Sequence, residues 1–78
     1  MSLIPLAMLP EGAKGKVVNI VGGIGALRKL MAMGIVPGKE IRVLGRRGGA
    51  MLISINGTKF VIGRGLAMKV MVDVGKEG

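Results

Sequence analysis

The chain has 78 residues and carries 12 Lys and Arg against four Asp and Glu, which gives a net charge of +8. A chain of this length makes one small domain with a thin core, and we assign residues 1–78 to a single domain. It contains no cysteine and no histidine, which excludes disulfides, thiolate or imidazole metal sites and a histidine general base. The carboxylates are scattered, at Glu11, Glu40, Asp73 and Glu77. We therefore expect no enzymatic activity and assign no catalytic, metal-binding or cofactor-binding residue.

Half of the residues are hydrophobic, yet Phe60 is the only aromatic side chain, so aliphatic residues and seven methionines must fill the core. No apolar run reaches the roughly 18 residues of a membrane helix. The apolar beginning of the chain lacks basic residues and contains Pro5 and Pro10, which makes it a poor signal peptide. We expect an intracellular, soluble protein. Its positive charge suits nucleic acid, anionic membrane or acidic protein partners, and charge alone does not choose among them.

The first third of the chain predicts one irregular segment and one strand. Residues 3–14 are expected to be irregular or to form a single turn, with Leu6 and Leu9 as anchors. The β-branched content of residues 15–21 predicts a strand, which Gly22 and Gly23 terminate.

A helix is predicted over residues 24–33, where the hydrophobic period changes. Its expected inward face consists of Ile24, Leu27, Leu30 and Met31. Arg28, Lys29 and Ala32 lie opposite. Gly34 is a natural cap for the end of the helix, and Pro37-Gly38 suits the two central positions of a type II turn.

The remaining residues predict mainly β structure. Strands are expected at residues 39–44, 50–55, 58–62 and 70–74, with a glycine-rich loop at 46–49. Asn56-Gly57 predicts a type I′ hairpin turn, and residues 63–69 a single-turn helical link. The result is a mainly β domain of about five strands, with one short helix after the first strand and a helical turn before the last. Strands this short must curl to bury one face, so a small barrel is expected.

Two glycine-rich segments resemble phosphate-binding loops only superficially. The segment from Gly34 to Lys39 has three residues between its glycines instead of four, a helix before it, and Glu40 where a Ser or Thr should follow the lysine. The segment Gly22-Gly23-Ile24-Gly25 lacks the third glycine of a dinucleotide fingerprint. Turn geometry is the favoured interpretation of both.

Two surface features have competing interpretations. Basic residues at positions 28, 29, 42, 46, 47, 59 and 64 could line a nucleic-acid surface, but single-strand readers usually add aromatic platforms that this chain lacks. Nucleic acid is therefore disfavoured.

Four apolar residues fall out of phase with the inward positions of their strands: Leu44, Leu52, Val61 and Met71. Some can be buried at barrel corners, and the remainder would form an apolar patch for a partner or for self-association.

The region from Arg28 to Val43 resembles the FeoA family, the small cytosolic companions of the FeoB ferrous-iron transporter. The resemblance is carried by Arg28, Lys29, Leu30, Met31, Met33, Gly34, Ile35, Pro37, Gly38, Ile41 and Val43. It continues through Asn56-Gly57, Ala67, Val70 and Val72, and covers roughly residues 6–74. The chain departs from the family pattern at Ala32, where many members have a polar or acidic residue, and in having methionine for leucine at positions 31 and 33.

The resemblance implies an SH3-like barrel, a cytoplasmic location, no enzymatic activity and a role in ferrous-iron uptake. We expect the protein to bind the cytoplasmic part of a FeoB-like transporter and to be peripheral to the membrane, not inserted in it. The expected contact residues are Arg28, Lys29, Leu30, Met31 and Met33, with Met33 the most exposed to a partner and Leu30 and Met31 also candidates for the core. Two alternatives stay open: a basic barrel that binds RNA or the ribosome, and a stand-alone relative of the regulatory domain of metal-dependent repressors.

Overall fold

The structure is a computed structural model that describes residues 2–75. This part of the chain contains six strands: β1 (Leu3–Pro5), β2 (Lys14–Ile20), β3 (Glu40–Arg47), β4 (Ala50–Ile55), β5 (Thr58–Gly63) and β6 (Val70–Asp73). A 3-10 turn at Leu6–Met8 follows β1. Helix α1 (Ile24–Ala32) follows β2, and the short helix α2 (Arg64–Ala67) precedes β6.

The six strands form one antiparallel sheet in the order β1-β6-β2-β3-β4-β5. Two-residue turns join β3 to β4 and β4 to β5, the chain passes from β2 to β3 through α1, and β6 returns to lie between β1 and β2. The predicted mainly β fold, with a helix after an early strand and a helical turn before the last strand, is confirmed.

Alternate residues of the strands supply most of the core, as a sheet with one buried face requires. Fully buried positions on the strands include Ile41, Val43, Ile53, Ile55, Val70 and Val72. Leu6 and Leu9, the predicted anchors of the first segment, are also buried in this core.

Two strands differ from the sequence prediction by more than a one-residue shift at an end. The first segment was expected to be irregular, yet Leu3–Pro5 pairs with β6. Three residues are too few to show a period, and this pairing joins positions at opposite ends of the chain. Strand β3 continues to Arg47 because a bulge between Val43 and Gly45 shifts the register with β4. The expected loop at 46–49 is thereby reduced to a Gly48-Gly49 turn.

The two predicted turns are confirmed. Asn56 and Gly57 have φ angles of 53° and 79°, the left-handed pair that a type I′ hairpin turn requires. Gly38 has a φ of 95°, and the N–H of Lys39 donates to the carbonyl of Val36 at 3.2 Å, which closes the Pro37-Gly38 turn.

The end of α1 is closed by two backbone hydrogen bonds and one apolar contact. The N–H of Gly34 donates to the carbonyl of Met31, and the N–H of Ile35 donates to that of Leu30, each at 2.9 Å. Gly34 takes a φ of 85°, and Leu30 and Ile35 are both fully buried. This is a Schellman motif, in which a left-handed glycine allows the chain to reverse and the two flanking apolar residues to pack together.

We predict that Gly34→Ala lowers the free energy of unfolding by about 1–2 kcal/mol, because an L residue is strained at this φ. The added Cβ would have room, since its nearest neighbour is Asn56 Nδ2 at 3.7 Å, so strain and not a clash is the cause. Gly25→Ala is the matched control. It lies in the first turn of α1 with nothing within 4 Å, and alanine there should stabilise by about 0.4–1 kcal/mol. Urea unfolding of both variants measures the difference. Equal stabilities would contradict the assignment of Gly34 as the left-handed residue of the Schellman motif.

Asp73 ties the two ends of the described chain together. Its Oδ1 accepts hydrogen bonds from the N–H of Gly75 at 3.0 Å and from the N–H of Ser2 at 3.3 Å. The bond from Gly75 is the main cause that holds the pKa of Asp73 below its ordinary value, with the bond from Ser2 and the charge of Lys16 acting in the same direction. Asp73 is paired with Leu3 in the sheet, so its charged form helps to hold β1 on β6.

The lowered pKa of Asp73 predicts a pH-dependent contribution to stability. A carboxylate with a depressed pKa stabilises the folded state above its unfolded pKa of about 3.9, and this stabilisation is lost as the pH falls through the folded value. Wild type should therefore be more stable than Asp73→Asn at neutral pH, and the difference should shrink as the pH falls below about 4. Urea unfolding of the two proteins over a pH series measures this. A difference that stays constant with pH would contradict the role of the charge.

Candidate functional site

The residues expected to meet a partner lie on or next to α1, and the structure divides them into two groups. Ile24, Arg28 and Met31 are spaced by four and three residues, which places them on one side of the helix. All three are exposed, with Ile24 63% and Met31 53% accessible. Lys29 is also exposed, but it lies two positions before Met31 and therefore on a different side of the helix. We call Ile24, Arg28 and Met31 the α1 face.

Two of the expected contact residues belong instead to the interior. Leu30 is fully buried, so it cannot contact a partner in this fold. Met33 is half-buried and packs against the core, which makes Met31 the more accessible of the two methionines and reverses the expected order. Residues two positions apart on a helix are separated by about 200°, so when Met33 turns to the core, Met31 must turn to solvent.

Ile24 was expected to face inward and is instead more exposed than Met31. Leu30, in the last turn of α1, is the one fully buried residue of that helix. The hydrophobic period shows which residues share a side of a helix but not how much of its length the sheet covers. The glycines at positions 22, 23 and 25, which give Ile24 no bulky neighbours along the chain, were the available signal.

A second apolar area lies on the outer face of β3, β4 and β5. Leu52 pairs with Val61 across β4 and β5, and Gly45 on β3 lies opposite Leu52. Leu44, Leu52 and Val61 are exposed, as their out-of-phase positions predicted. Met71, the fourth residue of that set, is half-buried on β6. We call Leu44, Leu52 and Val61 the outer sheet patch.

Two of the seven basic candidates for a nucleic-acid surface have structural roles. Nη1 of Arg42 donates to the carbonyl of Gly12 at 3.2 Å, and Nη2 of Arg46 donates to the carbonyl of Leu9. The backbone N–H of Arg46 also donates to Oε2 of Glu11 at 3.1 Å. These contacts hold the loop after the 3-10 turn against β3, and they turn the two guanidinium groups toward the protein.

The acidic residues that the structure describes are dispersed over the molecule. Glu11 accepts the bond from Arg46, Glu40 lies 3.7 Å from Nζ of Lys14, and Asp73 binds backbone N–H groups. Across residues 2–75, no group of three or more Asp, Glu, His or Cys side chains could hold a metal ion. In the same part of the chain, no helix has the length and apolar character to span a membrane.

The two glycine-rich segments form turns. Gly34 and Gly38 belong to the cap of α1 and the type II turn described above, and a helix precedes them. Gly22 has a φ of 109°, and a Cβ there would lie 3.1 Å from Cδ of Lys69. The Lys69 side chain thus packs against the turn that leads into α1.

Comparison with known proteins identifies the family. Residues 4–74 match the FeoA domain family. The chain is also 41% identical over 76 residues to a protein of Methanocaldococcus jannaschii that is provisionally named Fe(2+) transport protein A, covering 97% of this chain and 93% of that protein. This chain belongs to the FeoA family.

Solved structures with the same fold support that assignment. The crystal structure of an iron uptake regulatory protein, FeoA, is 46% identical, covers 94% of this chain and 97% of its own, and superposes with a TM-score of 0.87. FeoA of Stenotrophomonas maltophilia, solved in complex with zinc and described as a prokaryotic SH3 domain protein, is 26% identical over 87% of each chain, with a TM-score of 0.77. The predicted SH3-like fold is confirmed.

A transcriptional repressor shares the same domain type. A manganese-dependent repressor is 26% identical, with a TM-score of 0.84, over 90% of this chain and 40% of its own length. The FeoA fold therefore also occurs as one part of a longer regulatory protein.

The different environments of two adjacent arginines generate a stability prediction. Arg46→Ala should lower the free energy of unfolding by about 1–2 kcal/mol, because it removes a charged donor from the partly buried carbonyl of Leu9. Arg47→Ala should change it by less than about 0.5 kcal/mol, since no hydrogen bond or salt bridge of the Arg47 side chain is found within residues 2–75. Thermal and urea unfolding compare the two, and a larger loss for Arg47→Ala would show that the roles are assigned wrongly.

Proposed function

We propose that this chain is a non-enzymatic accessory protein of ferrous-iron uptake that acts in the cytoplasm by binding the cytoplasmic part of a FeoB-like membrane transporter. Membership of the FeoA family supports the transport role. So does the description of the Stenotrophomonas maltophilia relative as a candidate activating factor of ferrous-iron transport. The observation that carries the binding proposal is the α1 face, where two large apolar side chains remain exposed around Arg28.

The α1 face has the composition of a small docking surface. Protein interfaces combine an apolar centre with a polar rim, and arginine and methionine are enriched in them. Full burial of an Ile or Met side chain contributes roughly 1.5–3 kcal/mol, so Ile24 and Met31 could together supply a substantial part of a modest affinity. Arg28 would pair with an acidic group of the transporter, and Lys29 with another from the neighbouring side of the helix. The thioether of Met31 adapts its shape to the surface that it meets.

Binding would act on the transporter by favouring one of its conformations. A bound protein shifts a conformational equilibrium only through a difference in its affinity for the two states, so no catalysis by this chain is needed. The net charge of +8 would keep the protein near the anionic inner face of the membrane, peripheral to the bilayer.

We predict that Met31→Asp and Arg28→Glu keep the fold and weaken binding to the purified cytoplasmic part of the transporter at least about tenfold, equivalent to about 1.4 kcal/mol. Both side chains are exposed, so the substitutions should leave stability nearly unchanged. Met68→Asp is the matched control, because Met68 is also an exposed methionine but lies at the end of α2. Calorimetric titration measures the affinities. Equal binding by Met31→Asp and wild type would remove the α1 face from the proposal.

The transport role itself is tested in cells that lack the gene. Ferrous-iron uptake should fall in the deletion strain, recover with wild type or Met68→Asp, and remain low with Met31→Asp. Normal uptake in the deletion strain would refute the role in transport, whatever surface the protein uses. The alternative function, a barrel that binds RNA or the ribosome, is tested by the salt dependence of binding to nucleic acid. Affinity that falls steeply between low and moderate salt would indicate an interaction dominated by phosphate contacts.

A further inference from the structure

The sheet has two edge strands, β1 and β5, and they are protected to different degrees. Strand β1 has three residues and ends in Pro5, which has no N–H to offer another strand. Strand β5 has six residues, contains no proline, and pairs with β4 in a register without a bulge. The edge that β5 forms is therefore the longer and more regular of the two, and the more suitable template for an added strand.

The hairpin register shows which backbone groups of β5 are free. Ile55 and Thr58 flank the two-residue turn and form its closing, hydrogen-bonded pair. Because such pairs alternate along an antiparallel ladder, Phe60 bonds to β4, whereas Lys59 and Val61 direct their N–H and C=O groups away from it. The backbone bonds that residues 2–75 make outside the regular ladders include none from Lys59 or Val61.

The side chains beside this edge form an apolar strip. Val61 is 68% exposed, and it lies next to Leu52 on the outer face of the sheet. Gly45, on the far side of Leu52, leaves a groove of about 250 Å³ that Leu52 and Val61 line. A strand added beside β5 would place its own outward side chains against Val61 and the mouth of this groove.

The charges around the strip are positive. Lys59 lies on the same face of β5 as Val61, Arg47 lines the groove, and Arg64 follows β5. The one salt bridge found among the described residues joins Lys14 to Glu40, so these three cations have no acidic partner within residues 2–75. A second copy of this chain would bring another net charge of +8 to the same place, which opposes self-pairing. Charge complementarity favours an acidic ligand.

We propose that β5 binds an extended acidic peptide segment of a partner protein as a seventh strand. The backbone of Lys59 and Val61 would bond to the peptide, an apolar residue of the peptide would cover Val61, and a carboxylate two positions away would face Lys59. Main-chain bonds give affinity and the alternating side chains give selectivity in this mode of recognition. The site is separate from the α1 face and does not depend on the role in iron transport.

The first test uses the protein alone and a synthetic probe. In the free protein, the amide of Val61 should exchange with solvent at least tenfold faster than those of Phe60 and Ile62. A seven-residue peptide blocked at both ends, with glutamate at positions 1 and 5, valine at positions 3 and 7 and threonine between them, presents glutamate and valine on the same face. It should slow the exchange of Val61 and shift the NMR signals of Lys59 to Ile62. The same peptide with lysine for glutamate should bind at least tenfold more weakly. Equal binding of both peptides, or shifts confined to other strands or to α1, would overturn the proposal.

Two variants distinguish pairing with the β5 backbone from non-specific binding of the peptide. Val61→Pro removes an N–H that faces solvent, which an edge strand tolerates, so the variant should fold and lose at least tenfold in peptide affinity. Lys59→Glu keeps the backbone and should bind the lysine peptide in preference to the glutamate peptide, which keeps the test decisive even where Val61→Pro does not fold. Unchanged preference in Lys59→Glu would contradict the proposal. So would a protein that sediments as a dimer in which Val61 is already protected.

Discussion

The closure of α1 is the interaction on which the rest of the structure depends. Leu30 and Ile35 pack together in the core, and Gly34 between them adopts the left-handed conformation that lets the chain reverse. The residues that follow can then reach the sheet, where the N–H of Gly38 donates to the carbonyl of Val17 at 2.8 Å. Strand β3 begins from this point beside β2. Gly34 and the side chains of Leu30 and Ile35 thus close the end of α1 and connect the helix to the sheet.

The small size of the domain explains why apolar residues remain outside. A chain of 78 residues cannot bury all of its hydrophobic half, and the core that it forms has almost no aromatic volume. Leu30 anchors α1 through the last turn of the helix, which leaves Ile24 and Met31 accessible. The outer sheet patch also remains uncovered. This arrangement leaves the two separate surfaces for which we propose binding: a helical face with a basic residue, and a sheet edge with free backbone groups.

Local patterns predicted most of the fold, and long-range packing decided the rest. Pro37-Gly38 and Asn56-Gly57 determine their own turns through their φ preferences, so both were predictable. The pairing of β1 with β6 joins residues at opposite ends of the chain, so no local pattern could show it. The bulge near Gly45 depends on how β3 pairs with β4, which the period of β3 alone does not show. The candidate site was predicted in part: the exposed basic residues of α1 were recognised. The inward position of Leu30 was also expected, whereas the exposure of Ile24 was not, because a helical period does not show how far along the helix the core extends.

The central claim is that the α1 face binds the transporter. The methionines provide a direct measurement, because selective ¹³C labelling of their methyl groups gives separate NMR signals on different parts of the surface and in the core. On titration with the purified cytoplasmic part of a FeoB-like transporter, the methyl signal of Met31 should shift or broaden, while those of buried Met51 and of Met68, exposed elsewhere, should stay unchanged. A response of Met68 with Met31 unaffected, or no response from any methionine, would contradict the account.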